Sequence, residues 1–161
     1  MEKNDFQRIG STSNAKAGSD FELSAKEFFR TEGIDLQQNF KLRIGIEELQ
    51  KDHAFDLGSE HEKIIVECKS HKWTHPNDNV PSAKMTVWNE AMYYFLLAPI
   101  EYRKILFVLK DYSPKRKETL AEYFVRTNKH LIPKGVEIIE YDEAEKIGKR
   151  IDGPRFPVEA L

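Results

Sequence analysis

The chain has a single cysteine, Cys68, in 161 residues, so no disulfide can form within it. Placed among Ile64, Ile65 and Val66, Cys68 reads as a small buried hydrophobe and a poor nucleophile. No apolar run approaches the roughly 20 residues that a membrane-spanning helix needs. The opening residues are too polar for the core of a secretory signal, so a cytoplasmic protein with no membrane partner is expected. Internal repeats and low-complexity tracts are lacking as well. Nor is there a large excess of one charge: the net charge of -2 argues against a protein that coats nucleic acid nonspecifically.

What is present is the balance of an ordinary folded domain, with 40% hydrophobic and 32% charged residues. The length suits one domain with its own core and is short for two. Residues 1–14 are polar and carry Gly10, Ser11, Thr12 and Ser13, which predicts a flexible arm ahead of a single domain over 15–161. Ala17, Phe21, Ala25, Phe28 and Phe29 recur at helical spacing up to Glu32, with Gly33 as the stop. Phe40, Leu42, Ile44 and Ile46 alternate, predicting a half-buried strand from Phe40 to Leu49. Two further strands follow, His53 to Leu57 and Ile64 to Lys69, joined as a hairpin by the polar turn Gly58 to Glu62.

That hairpin carries the chemistry. Side chains alternate along a strand, so Glu67 and Lys69 share a face about 6.8 Å apart while Cys68 takes the other. If Asp56 lies opposite Ile65 or Glu67 it joins them; a slip of one residue sends it to the opposite face. Two carboxylates roughly 5 to 8 Å apart across a strand pair suit a hard divalent cation such as Mg²⁺, with Mn²⁺ as its substitute. A lysine beside them can orient a water and offset the charge that builds on an attacked phosphate. Glu-x-Lys alone is equally what a solvated ion pair on an edge strand looks like.

The next stretch, Ser70 to Lys84, is a loop by composition, with Pro76, Pro81, Asn77 and Asn79. Following Lys69 directly, it should lie beside the same face. Lys72 is placed to neutralise phosphates, Trp73 to stack on a base, and Asn77 and Asn79 to donate to backbone oxygens; Trp73 packing over the loop's own core is the competing reading. His71 and His75, in a proline-containing loop with no further soft ligand, argue against zinc, and His53 is isolated. Ser82 predicts the cap of a helix with Met85, Trp88, Met92, Phe95 and Leu96 on one face until Pro99, and Lys84 in its first turn is a phosphate-contact candidate. Ile105 to Leu109 reads as a central parallel strand. Ser113 and Pro114 predict the start of another helix, where Lys115, Arg116 and Lys117 would oppose the macrodipole and invite an anion. Val136 to Tyr141 reads as a strand, Asp142 with Glu145 as the cap of a short terminal helix, and Gly153-Pro154 as a tail.

Asp56, Glu67 and Lys69, with Gly18-Ser19-Asp20-Phe21-Glu22 reading as a G-x-x-F-E helix opening, resemble the PD-(D/E)xK nuclease superfamily, the restriction-endonuclease-like fold. Phe55 stands where that motif has proline. The resemblance implies an α/β fold with a mixed central sheet and an αβββαβ core flanked by helices. It also implies a divalent-metal-dependent endonuclease acting on DNA. Asp56 and Glu67 would hold Mg²⁺, Lys69 would position the attacking water, and Glu22 would support a second metal or the water network. Restriction, repair, recombination and mobile-element processing are all open as roles, a homodimer or a recruiting protein would help choose the target, and RNA is a weaker alternative substrate. A non-catalytic nucleic-acid-binding or assembly protein on the same fold is the reading of a different class.

Overall fold

In this computed structural model, which describes residues 6–151, the chain runs through α1 (Phe6–Thr31), β1 (Gln37–Ile46), β2 (Leu49–Ser59), β3 (Ile64–Lys69) and α2 (Ser82–Leu97). It continues through β4 (Arg103–Leu109), β5 (Tyr112–Ser113), β6 (Glu118–Thr119), α3 (Leu120–Asn128), a 3₁₀ turn at Lys129–Leu131, β7 (Val136–Asp142) and β8 (Ile147–Ile151). One mixed sheet of six strands has the order β1-β2-β3-β4-β7-β8, and β5 and β6 form a separate two-stranded ribbon. β1, β2 and β3 form an antiparallel meander, whereas β3, β4 and β7 are mutually parallel, as connections through helices require. Among the described residues, no helix is long and apolar enough to cross a membrane.

The apolar run of β4 explains its central place. Ile105, Phe107 and Leu109 face one core and Leu106 and Val108 the other. Phe21, Ala25 and Phe29 of α1 cover the first face with Leu57, Ile64 and Val66, and α2 and α3 cover the second through Trp88, Phe95 and Phe124. The result is three layers, helix on sheet on helices, with each fully buried large side chain contributing roughly 1.5–3 kcal/mol.

Several elements differ from expectation. The first helix begins at Phe6 rather than near Ala15, so residues 6–14 of the expected arm are helical, while 1–5 lie outside the described residues. β1 ends at Ile46 and β2 starts at Leu49, a much longer hairpin than the composition suggested, and its second turn falls after Ser59. Ser82 is the first residue of α2, not its cap; Pro81 holds that place without a side-chain hydrogen bond, and Leu96 faces solvent while Ala91 takes the buried position.

The helix expected at Ser113 starts only at Leu120. Thr119 caps it, its hydroxyl accepting from the Glu122 N–H while the Glu122 carboxylate accepts from the Thr119 N–H. Lys115, Arg116 and Lys117 therefore occupy the β5–β6 turn, not a helical first turn, although the Ser113 hydroxyl accepts from the Arg116 N–H as a cap would while it donates to Asp78 Oδ2. No terminal helix follows β7 among the described residues. Asp142 Oδ1 accepts from the N–H groups of Ala144 and Glu145, but the turn it builds returns the chain as β8, antiparallel to β7. The Gly153-Pro154 tail lies outside the described residues.

Candidate functional site

The β2–β3 ladder is short: Ser59 pairs with Ile64, Gly58 with Ile65 and Leu57 with Val66. Continued by one step, this register sets Asp56 across from Glu67. The backbones do not pair there. Instead the Cys68 N–H donates to Asp56 Oδ2 at 2.7 Å, so a side chain takes the place of a ladder partner. The β1–β2 ladder likewise skips Asn39 and Asp56, and Asn39 adopts a left-handed φ of 52°. Phe55 and Leu57, two apart and expected on one face, belong to opposite cores. The alternation of β2 thus breaks at Asp56, which frees its carboxylate to enter the gap between diverging strands.

Glu67 and Lys69 do share a face, and Lys69 Nζ donates to Glu67 Oε2 at 2.8 Å. Both side chains are largely enclosed, with 7% of Glu67 and 13% of Lys69 exposed, so this is not the solvated pair of an edge strand. The other oxygen, Glu67 Oε1, lies 3.2 Å from His53 Nε2. His53 in turn stacks on Tyr94 with ring centres 3.9 Å apart and meets Phe55 edge-on at 4.6 Å. Glu22 comes from α1, where the stripe of Phe21 and Ala25 anchors the helix on the sheet and leaves the neighbouring carboxylate half-buried towards Asp56.

The electrostatics follow from three carboxylates and one ammonium in a partly dry site. Burial, then the charge of Glu67, raises the Asp56 acid above the ordinary range, against the pull of the Cys68 N–H, Lys69 and His53. Burial, then Asp56, raises Glu22 in the same way, with Lys69 opposing. Burial alone would lower Lys69, but Glu67 and Asp56 outweigh it, so the ammonium is held in its charged form more firmly than usual. Burial and the same carboxylates push the Cys68 thiol well up, which keeps it protonated and leaves it no role as a nucleophile.

These groups border a cleft of about 640 Å³ whose walls include Glu22, Asp56, Cys68 and Lys69, then Ser70, His71 and Lys72 from the segment after β3, and Lys84 from α2. Glu67 sits behind Lys69 rather than in the cleft wall. Among the described residues, no group of three or more His, Cys, Asp or Glu side chains is gathered in metal-holding geometry.

Compared with models of known families, with curated proteins and with solved structures, the chain finds no match. Its own geometry therefore carries the functional argument. Of the side chains read from the sequence, Glu22, Asp56, Glu67, Lys69, Lys72 and Lys84 are brought to one place. Trp73 is not available to a base: it is 2% exposed, its indole N–H donates to the Asp111 carbonyl and its backbone N–H to Asp111 Oδ2. The competing reading, packing under the loop, is the one the structure has. Asn77 and Asn79 lie outside the cleft wall on the same loop, where Asn79 pairs through its backbone with Thr74. Lys115 and Arg116 also lie away from it. They tie the β5–β6 turn to that loop, Lys115 Nζ on the Asn77 carbonyl and Arg116 Nε on that of Asp78, with the guanidinium 4.7 Å over the Trp73 ring.

Two histidines that looked uninformative belong to the site. His53 was legible only as an alternate residue of β2, and nothing local ties it to Glu67, fourteen positions on. In the sequence His71 stands out only as half of a histidine pair with no third soft ligand. The structure gives its Nδ1 to the Trp88 indole N–H at 2.9 Å, while His75 faces Asp78.

Proposed function

We propose that the chain is a divalent-metal-dependent endonuclease that hydrolyses phosphodiester bonds in DNA, built on a PD-(D/E)xK plan. The observation that carries this reading is the enclosed Lys69–Glu67 pair beside Asp56, where two strands part and open onto a cleft. The element order α1-β1-β2-β3-α2-β4 supports it, being the αβββαβ order that the motif resemblance implies.

The donor type, carboxylate oxygen, is the one a hard cation takes. Glu22, Asp56 and Glu67 offer carboxylate oxygens, and burial first, then the charge of the neighbouring carboxylate, makes Asp56 and Glu22 hold their protons more tightly than usual. Asp56 and Glu67 would hold Mg²⁺, or Mn²⁺ in its place, with Glu22 as a further ligand or a support for its waters. Once bound, the ion supplies Lewis-acid polarisation of the phosphate and lowers the pKa of a coordinated water.

The protein's own groups divide the remaining work. Lys69 stays an ammonium, so it acts as a hydrogen-bond donor and point charge towards the attacking water and the phosphate oxygens, not as a general base. Glu67 fixes the reach of Lys69 through their hydrogen bond, and His53 fixes Glu67 from behind. Lys72 and Lys84, both exposed on the cleft wall, meet the phosphate backbone.

Incubation of plasmid DNA with the purified protein tests this. Cleavage is expected with Mg²⁺, none with EDTA, and Lys69→Ala is expected to lose about a hundredfold or more of the rate while keeping its circular dichroism spectrum. DNA binding without cleavage at any metal concentration would contradict the hydrolase and favour the non-catalytic nucleic-acid binder. A parallel RNA substrate distinguishes the polymer.

A further inference from the structure

His71 occupies an unusual position in the cleft. The ring is half-buried immediately beyond β3, and its Nδ1 accepts from the indole of Trp88, itself 0% exposed and packed at 5.1 Å against Phe124. An indole N–H can only donate. Nδ1 must therefore present its lone pair, and the neutral ring carries its proton on Nε2. Burial first, then Lys84 and Lys69, lowers the imidazole to about 4, so it is uncharged at neutral pH. Nε2 makes no hydrogen bond among the described residues, and with its lone pair replaced by a proton it cannot ligate a metal.

The cleft wall as a whole has two chemistries. Carboxylates come from α1 and β2, namely Glu22 and Asp56; cations and the imidazole come from the segment after β3 and from the start of α2, namely His71, Lys72 and Lys84. Pro81, the residue that precedes α2, also lines the cleft, but the Ser82 N–H donates to the Val80 carbonyl and the Lys84 N–H to that of Pro81, so the side chains and not the helix start supply the donors here. A fixed, uncharged donor here gives direction without adding positive charge beside Lys69 and Lys84.

We propose that His71 Nε2–H, with Lys72 and Lys84, forms an anion subsite for a phosphate group next to the one attacked beside Asp56. The assignment to a neighbouring substrate phosphate rests on the hydrolase reading; the subsite itself does not. It narrows the substrate to an internal position of a polynucleotide, with a second phosphate within the cleft, because a substrate lacking that phosphate leaves the His71 donor and two ammonium groups without a partner.

The test uses the full chain, labelled with ¹⁵N-histidine and kept in EDTA, titrated with inorganic phosphate and followed by NMR. His71 is expected to carry its proton on Nε2, and that nitrogen to shift saturably with phosphate. Lys84→Ala, a change on an exposed side chain, is expected to weaken phosphate binding about threefold. His71→Phe is expected to weaken it about tenfold or more, and His71→Gln, whose amide can accept from Trp88 and still donate into the cleft, to restore most of it. A short DNA oligonucleotide is expected to displace the phosphate.

A proton on Nδ1, an Nε2 signal indifferent to phosphate, or unaltered phosphate affinity in Lys84→Ala overturns the subsite, even if the protein cuts plasmid. An oligonucleotide that does not displace phosphate overturns its assignment to the polymer. A phosphate response at Nε2 in a protein that never cleaves DNA upholds the subsite and removes only the hydrolase.

Discussion

Asp56 carries the largest conflict between stability and chemistry at the level of single residues. Its folded-state acid is raised, so the folded chain holds that proton more tightly than the unfolded chain does. Its contribution to stability is complete below the unfolded carboxyl range and is lost as pH rises through the raised folded value; Glu22 behaves the same way. Asp56→Asn keeps an oxygen for the Cys68 N–H and removes the repulsion. It is therefore expected to raise Tm at neutral pH in metal-free buffer while abolishing cleavage. Mg²⁺ is expected to raise Tm of the wild type and not of this variant, and scanning calorimetry reads both. The sequence offers Asp56 as a candidate but not the break in β2 at that residue, where the ladder also skips Asn39 and the Cys68 N–H twelve positions on takes the carboxylate. Trp73 illustrates the opposite failure. A tryptophan in a polar loop looks like a base-stacking group until Asp111 is seen to hold both of its N–H donors. Trp73→Ala is accordingly expected to cost about 3–5 kcal/mol in chemical denaturation, as removal of a buried aromatic does.

Among the elements, the central strands were legible because burial on both faces leaves an unbroken apolar run, as in β4. Element boundaries were harder wherever one short polar motif serves two geometries. Ser113-Pro114 has the residues of a helix start, yet it opens a ribbon; the reciprocal box of Thr119 and Glu122, six residues later, is the true one. Asp142 accepts from two following N–H groups just as a helix cap would, and the outcome is a hairpin. Neither choice is decided locally. Thr119→Ala is expected to cost about 1 kcal/mol and to speed amide hydrogen exchange in the first turn of α3 without changing exchange in α2. Equal effects in both helices would contradict the cap as a local device.

The whole molecule combines a near-neutral total charge of -2 with a cleft that carries Lys69, Lys72 and Lys84 beside Glu22 and Asp56, and on the proposed function those lysines are the groups that would meet a polyanion. DNA affinity measured in EDTA is expected to fall with salt. Lys72→Ala and Lys84→Ala are each expected to flatten the log–log slope by about 0.9, whereas Lys115→Ala, on the tethered turn away from the cleft, leaves it unchanged. Glu67 and Lys69 were readable because strand alternation places them together; His53 and His71 were not, since only the packing of α2 against the sheet brings Tyr94 and Trp88 to them. The nuclease proposal requires Asp56 and Glu67, with Glu22 in support, to share one divalent cation. Crystals soaked in Mn²⁺ and measured at the manganese edge test it most directly: an anomalous peak within coordination distance of Asp56 Oδ1 and of a Glu67 or Glu22 oxygen is expected. A map with no peak in the cleft, or with manganese bound only elsewhere, would contradict it.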